Sequence, residues 1–119
     1  MKVQVTPPAR QDIKNIETYI KEEFDNPTAA KRAAAKIIKS AKSLGLSPYK
    51  GFSAKGKYGI DTSYRILVRE QYLIFYEVNE DTDIVNIVNV FHSKQNYINK
   101  LFPGFQYEYD IDEENLEGE

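Results

Sequence analysis

The run Tyr72-Leu73-Ile74-Phe75-Tyr76, continued by Val78, constrains this chain more than any other stretch. Successive side chains of a strand point to opposite faces, so a strand wetted on one side carries polar residues at every second place. Here Tyr72, Ile74, Tyr76 and Val78 make one apolar set, and Leu73 and Phe75 begin another. The run predicts a central strand, about Tyr72 to Val78, that is either covered on both faces or packed on one and used for binding on the other.

Its neighbours follow from the links. Stretches of about Tyr58 to Val68 and Ile84 to Phe91 read as strands, joined to the central one through Arg69-Glu70-Gln71 and the polar turn Asn79 to Asp83. Links this short make the three strands antiparallel neighbours. Upstream, Lys2 to Thr6 alternates and predicts a short first strand at a sheet edge. Thr6 can cap a helix whose first turn takes Pro7 and Pro8. Ile13, Ile16, Ile20 and Phe24 then recur at helical spacing, with Tyr19 beside them, until Asp25-Asn26-Pro27 breaks the helix. A second helix, about Pro27 to Leu44, carries an apolar face with many alanines (Ala30, Ala33, Ala34, Ala41) beside Ile37, Ile38 and Leu44. Small side chains let two helix backbones approach, which predicts an antiparallel helical hairpin. Gly45 ends the second helix, and Pro48, Gly51, Gly56 and Gly59 mark a loop-rich stretch. A short last helix, about Lys94 to Leu101, would turn Tyr97, Ile98 and Leu101 inward.

The expected fold is α+β: an N-terminal strand, an antiparallel helical hairpin packed on a three- to four-stranded, mainly antiparallel sheet, and a short C-terminal helix. The 119 residues fit one domain, placed at residues 1–102, with residues 103–119 as a separate acidic tail. The absence of cysteine excludes disulfides, thiol catalysis and cysteine-ligated metal, and one histidine makes a histidine metal centre improbable. No metal and no cofactor are expected. No apolar run reaches the length of a membrane span, and no signal-peptide core stands at the N-terminus, so a cytoplasmic location and no membrane partner are expected.

The net charge of −2 hides a segregation. Seven acidic residues and no basic one follow Phe102; removing those seven from the chain's 18 leaves 11 acidic against 16 basic in residues 1–102, a net charge of +5. A basic body fits an anionic partner, and an acidic tail either competes for that surface or aids solubility. Within the tail, Phe105, Tyr107, Tyr109 and Ile111 alternate with polar residues. That is strand periodicity, compatible with a strand added in cis or to a second copy, giving a homodimer through the tail or a sheet edge.

Catalytic signatures such as G-x-S-x-G, the P-loop, HExxH and a dinucleotide fingerprint are absent. What remains is a concentration of cations and aromatics between positions 49 and 76. Lys50, Lys55, Lys57, Arg65 and Arg69 stand among Tyr49, Phe52, Tyr58, Tyr64 and Tyr72. Cations bind phosphate, and aromatic faces stack on unpaired bases or pack against a protein; the plain alternative is a solvated sheet face. Arg65 and Arg69 lie four apart and share a side of the strand. His92, just after a strand and beside Ser93 and Lys94, is either a proton-transfer group or a hydrogen-bonding element at a strand end. Tyr97 is read as a core anchor that can also meet a partner.

In order along the chain, Asp12-Ile13, Tyr19-Ile20, the alanine-rich helix, Leu44, Pro48, Tyr64-Arg65, the run from Tyr72 to Tyr76, Val90-Phe91-His92, Tyr97 and Leu101 together resemble the RelE/ParE superfamily of type II toxins. The resemblance covers residues 3–102. It implies a toxin component of a type II toxin–antitoxin system, of the plasmid-stabilising (addiction) kind, held inactive by a cognate antitoxin that wraps around it. RelE-like members cut mRNA on the ribosome, with basic side chains stabilising charge on the scissile phosphate. ParE-like members poison DNA gyrase.

The nuclease pattern carries an arginine at the strand position matching Leu73, and leucine cannot contact phosphate electrostatically. A second nuclease arginine, at the start of the last helix, falls near Ser93 or Lys94, where only Lys94 is cationic. The resemblance therefore points to the ParE branch, which has no established active site of its own, and leaves open whether the protein is an enzyme. The alternative is a ribosome-dependent mRNA endonuclease with Arg65, His92 and Lys94 as a reduced catalytic set, helped by Lys57. A third reading is a non-toxic interaction module. For partner or nucleic-acid binding the expected residues are Lys55, Lys57, Tyr64, Arg65, Arg69, Tyr72 and Tyr97.

Overall fold

A computed structural model describes residues 1–93 of the chain. Its elements are β1 (Lys2–Val5), α1 (Pro7–Glu23), α2 (Pro27–Ser43), β2 (Phe52–Ser53), α3 (Ala54–Tyr58), β3 (Arg65–Arg69), β4 (Tyr72–Asn79) and β5 (Ile84–His92). The five strands form one sheet in the order β1-β5-β4-β3-β2. All its neighbouring pairs are antiparallel except β1 with β5, where Val3 lies opposite Val85 and Val5 opposite Ile87. The α+β architecture expected from the sequence is therefore present. The expected helix from Lys94 to Leu101 and the tail lie outside the described residues.

Local chemistry accounts for where the helices begin. The Thr6 hydroxyl accepts from the Ala9 amide at 3.5 Å and donates to the Ile87 carbonyl at 2.7 Å, so one side chain caps α1 and ties its start to β5. At the break, Asp25 takes a positive φ of 48° and the Asn26 side chain accepts from the Ala29 amide at 3.0 Å, which starts α2. Ala9 and Ile13 of α1 face Ala30, Ala34, Ile37 and Ala41 of α2, all buried. The small side chains permit the close hairpin that their spacing predicted.

The hairpin lies on one face of the sheet, over Tyr72, Ile74, Tyr76, Val85, Ile87 and Val90. The opposite face holds a second core of Ile66, Leu73, Phe75, Phe91 and Ala54, with Phe52, Tyr58 and Tyr64 packed around it. Phe75 and Phe91 meet edge to face, with ring centroids 5.6 Å apart. Of the two arrangements open to the central strand, the structure takes the one with both faces covered.

Two local differences from the sequence expectation have physical causes. The strand expected over Tyr58 to Val68 begins only at Arg65, and the sheet gains a fifth strand of two residues. Ser53 stops the extended chain by accepting from the Gly56 amide at 3.1 Å, which winds Ala54–Tyr58 into α3. Gly59, in the left-handed region at φ 70°, ends α3 by donating to the Lys55 carbonyl at 2.9 Å. The second difference is a bulge in β5. Phe75 pairs with Asn89 and Tyr76 with Ile87, leaving Val88 as the extra residue. The bulge resets the alternation, so Val90 joins Val85 and Ile87 under the helices while Phe91 turns to the second core. Asp12 of α1 accepts from the Val90 amide at 2.9 Å and from the Asn89 side chain at 3.0 Å, binding α1 to the strand just past the bulge.

Candidate functional site

The residues expected to make one basic-aromatic surface are divided by the sheet. Alternation along β3 puts Arg65, Leu67 and Arg69 on the helix side and Ile66 on the other. Lys55 and Lys57 belong to α3, on the second face. The Lys55 ammonium is exposed and 3.8 Å from the Asp61 carboxylate; that of Lys57 stands 5.1 Å from the centre of the Phe52 ring. Tyr64 is half-buried against the second core, and Tyr72 is buried under the helices. His92 pairs with Tyr72 across β4 and β5, with ring centroids 5.7 Å apart at 90°. Burial raises the Tyr72 phenol above its ordinary value. Lys94 and Tyr97 lie outside the described residues.

Arg65 and Arg69 do share a side of β3, as their spacing predicted, yet they work differently. Arg69 is exposed at the hairpin. The guanidinium of Arg65 turns back onto the segment between α2 and β2: its Nη2 donates to the Gly51 carbonyl at 2.5 Å and the Tyr49 carbonyl at 3.2 Å, and it lies 5.2 Å from the centre of the Tyr49 ring. The Gly51 amide in turn donates to the Tyr76 hydroxyl at 3.0 Å, in a buried setting. A Cβ at Gly51 would lie 2.5 Å from the Ile66 carbonyl oxygen and 2.7 Å from the Tyr76 hydroxyl, so only glycine lets the segment come this close. Arg65, Tyr76 and Gly51 thus form a latch that fixes Tyr49. The Tyr49 hydroxyl donates to the Glu80 carboxylate, a contact that raises the phenol above its ordinary value. The Nε of Arg65 is buried and meets no hydrogen-bond partner among the described residues. Sequence reasoning placed Arg65 among the phosphate-binding candidates, and a paired guanidinium at a loop gives no sequence signal by which to separate the two roles.

A cleft of about 340 Å³ opens at the other end of β4. Ile20 of α1, Phe24 at the C-cap of that helix and Ala33 of α2 line its apolar side, and Tyr72 and His92 its floor. Arg32, Lys36 and Glu70 supply its charge. Lys36 and Glu70 are bridged at 2.9 Å. The sequence signal for this site lies in α2, which carries five cations (Lys31, Arg32, Lys36, Lys39, Lys42) and no acidic residue, outside the basic-aromatic stretch of positions 49 to 76.

The Lys36 ammonium bonded to Glu70 holds that carboxyl below its ordinary value. A lowered folded value means that stability from the contact is present above the unfolded carboxylate's titration and is lost as pH falls through the folded one. Melts of Glu70→Gln and the parent should therefore differ at neutral pH and converge as pH falls below the ordinary glutamate value of about 4.3 and through the lowered folded one. A difference that persisted unchanged in acid would reject the ion pair as its source.

A helical hairpin on one face of a sheet, with the first strand parallel to the last described one, is the frame of RelE/ParE-like proteins. The family model described as the ParE toxin of type II toxin–antitoxin systems, parDE, matches residues 3–97, and the chain belongs to that family. Among solved structures it is similar to a protein of a chromosomal ParDE toxin–antitoxin system from P. aeruginosa. That match has a TM-score of 0.65 and 18% identity, and covers 79% of this chain and 97% of the other. It is also similar to a chain of the RelBE2 toxin–antitoxin complex from Mycobacterium tuberculosis, with a TM-score of 0.58, 20% identity, and coverage of 76% and 88%. At these identities the two structures establish the shared fold. No match was found among curated protein sequences.

Proposed function

We propose that this ParE-type toxin acts in the cytoplasm by inhibiting DNA gyrase, in a plasmid-stabilising module where a cognate antitoxin neutralises it. The observation that carries the reading is the burial of Leu73. The position that would hold a nuclease arginine is filled by an apolar side chain packed into the second core beside Phe75 and Phe91. Arg65 supports the same reading, since its Nη2 is turned back onto the Gly51 and Tyr49 carbonyls. Charge stabilisation at a scissile phosphate needs donors free to meet it. Family membership and the toxin–antitoxin assemblies named for both structural relatives support the antitoxin partner.

The test is a supercoiling assay with purified protein and gyrase. Inhibition together with a stabilised cleavage complex is expected; neither effect at micromolar protein would overturn the proposal. The exposed ammonium groups of Lys55 and Lys57 favour a second reading, ribosome-dependent mRNA cleavage, which predicts codon-positioned cuts in translated mRNA.

A further inference from the structure

Helix α2 presents a cationic face with nothing on the helix to neutralise it. Arg32, Lys36 and Lys39 fall at i, i+4 and i+7, on one side of the helix, and Lys31 and Lys42 flank them. All five are exposed. Lys36 is held by Glu70, whereas Arg32, Lys39 and Lys42 form no salt bridge among the described residues. Acidic groups gather elsewhere: Glu77, Glu80 and Asp81 line a separate cleft at the opposite end of β4. Next to the cationic face lies the cleft described above, edged by Phe24, which is 66% exposed and meets the exposed ring of Tyr19 edge to face at 6.1 Å.

We propose that this cleft and the Arg32–Lys36–Lys39 face of α2 are the docking site for the chain's own acidic segment, residues 103–119. Three observations carry the assignment. The first is charge: the segment holds seven carboxylates and no cation, against a helix with five cations and no carboxylate. The second is position. β5 ends on His92, which lines the cleft, and the Ser93 amide donates at 2.7 Å to the carbonyl of Gln71, another cleft residue, so the chain leaves the described residues at the cleft's mouth. Ten residues lead from Ser93 to Pro103, a span of at most about 35 Å when extended, which is ample for a site that begins at the exit. The third is composition: Phe105, Tyr107 and Tyr109 alternate with polar residues, and aromatic rings are what an apolar cleft edged by Phe24 accepts. The inference stands whether or not gyrase is the target.

The absence of cysteine lets a single spin label be placed in the full chain through Asn115→Cys, which leaves all seven tail carboxylates intact. Backbone amides of Phe24, Arg32 and Lys36 should lose most of their intensity to the label, and recover it at about 1 M salt, where the screening length falls to about 3 Å. Arg32→Glu with Lys39→Glu, both at exposed positions, should also restore intensity while the remaining spectrum stays folded. Unattenuated amides in this region would overturn the proposal. So would attenuation that fades on dilution, which assigns the face to a second copy. Attenuation that survives both charge reversals and high salt would overturn the electrostatic basis. Oligonucleotide-induced shifts on α2 in a chain without attenuation would give the face to nucleic acid.

Discussion

Replacing Phe75 with alanine should destabilise the fold by about 3–5 kcal/mol, read as a lower urea midpoint at unchanged slope. Phe75 has no exposed surface and lies among Ile66, Phe91 and Ala54, so the lost ring leaves a cavity that sheet backbone on three strands cannot close. The size of the effect separates two views of the central strand. Were the Leu73–Phe75 side an open binding face, the substitution would lower target binding and leave the midpoint nearly unmoved. Val68, 52% exposed on β3, is the control: alanine there should shift stability by no more than about 0.5 kcal/mol.

Arg65→Ala carries the second large effect. It frees the Gly51 and Tyr49 carbonyls from a charged donor and removes the cation from the Tyr49 ring. Hydrogen bonds from charged groups contribute about 1.5–3 kcal/mol each, and part of that is recovered from water at this half-exposed site, so a loss of about 2–3 kcal/mol is expected. Hydrogen exchange should rise first in residues 47–52, the segment the latch holds, and only later in the helices. Arg65→Lys should recover part of the stability, because an ammonium cannot reproduce the fork that reaches two carbonyls. A purely functional arginine behaves otherwise: its loss would abolish toxicity with no change in the urea midpoint or in exchange.

Much of this architecture is written in the order of residues. Thr6-Pro7-Pro8 and Asn26-Pro27 mark both helix starts, because capping and proline chemistry act over three or four residues. The double-sided apolar run set β4 at the centre of the sheet. What escaped depends on contacts distant in sequence. Asp12 meets the Val90 amide 78 positions along the chain, just past the Val88 bulge, and nothing local in Asn86 to Phe91 announces which residue is extra. The strand predicted to start at Tyr58 fails for a local reason: the Ser53 cap and Gly59 bound a helical turn at Ala54–Tyr58, which strand propensity alone does not register. The site was half legible. Leu73 could be read as lacking charge, but only packing shows it buried, and Arg65 looked like a phosphate ligand until its two carbonyl partners were in view.

The proposed mechanism has this toxin binding gyrase and not cutting RNA. One preparation assayed in parallel for gyrase supercoiling and, by primer extension, for cleavage of translated mRNA tests it most directly. Gyrase binding predicts inhibited supercoiling with a trapped gyrase–DNA cleavage complex and uncut mRNA. Codon-positioned cuts with gyrase unaffected would contradict it.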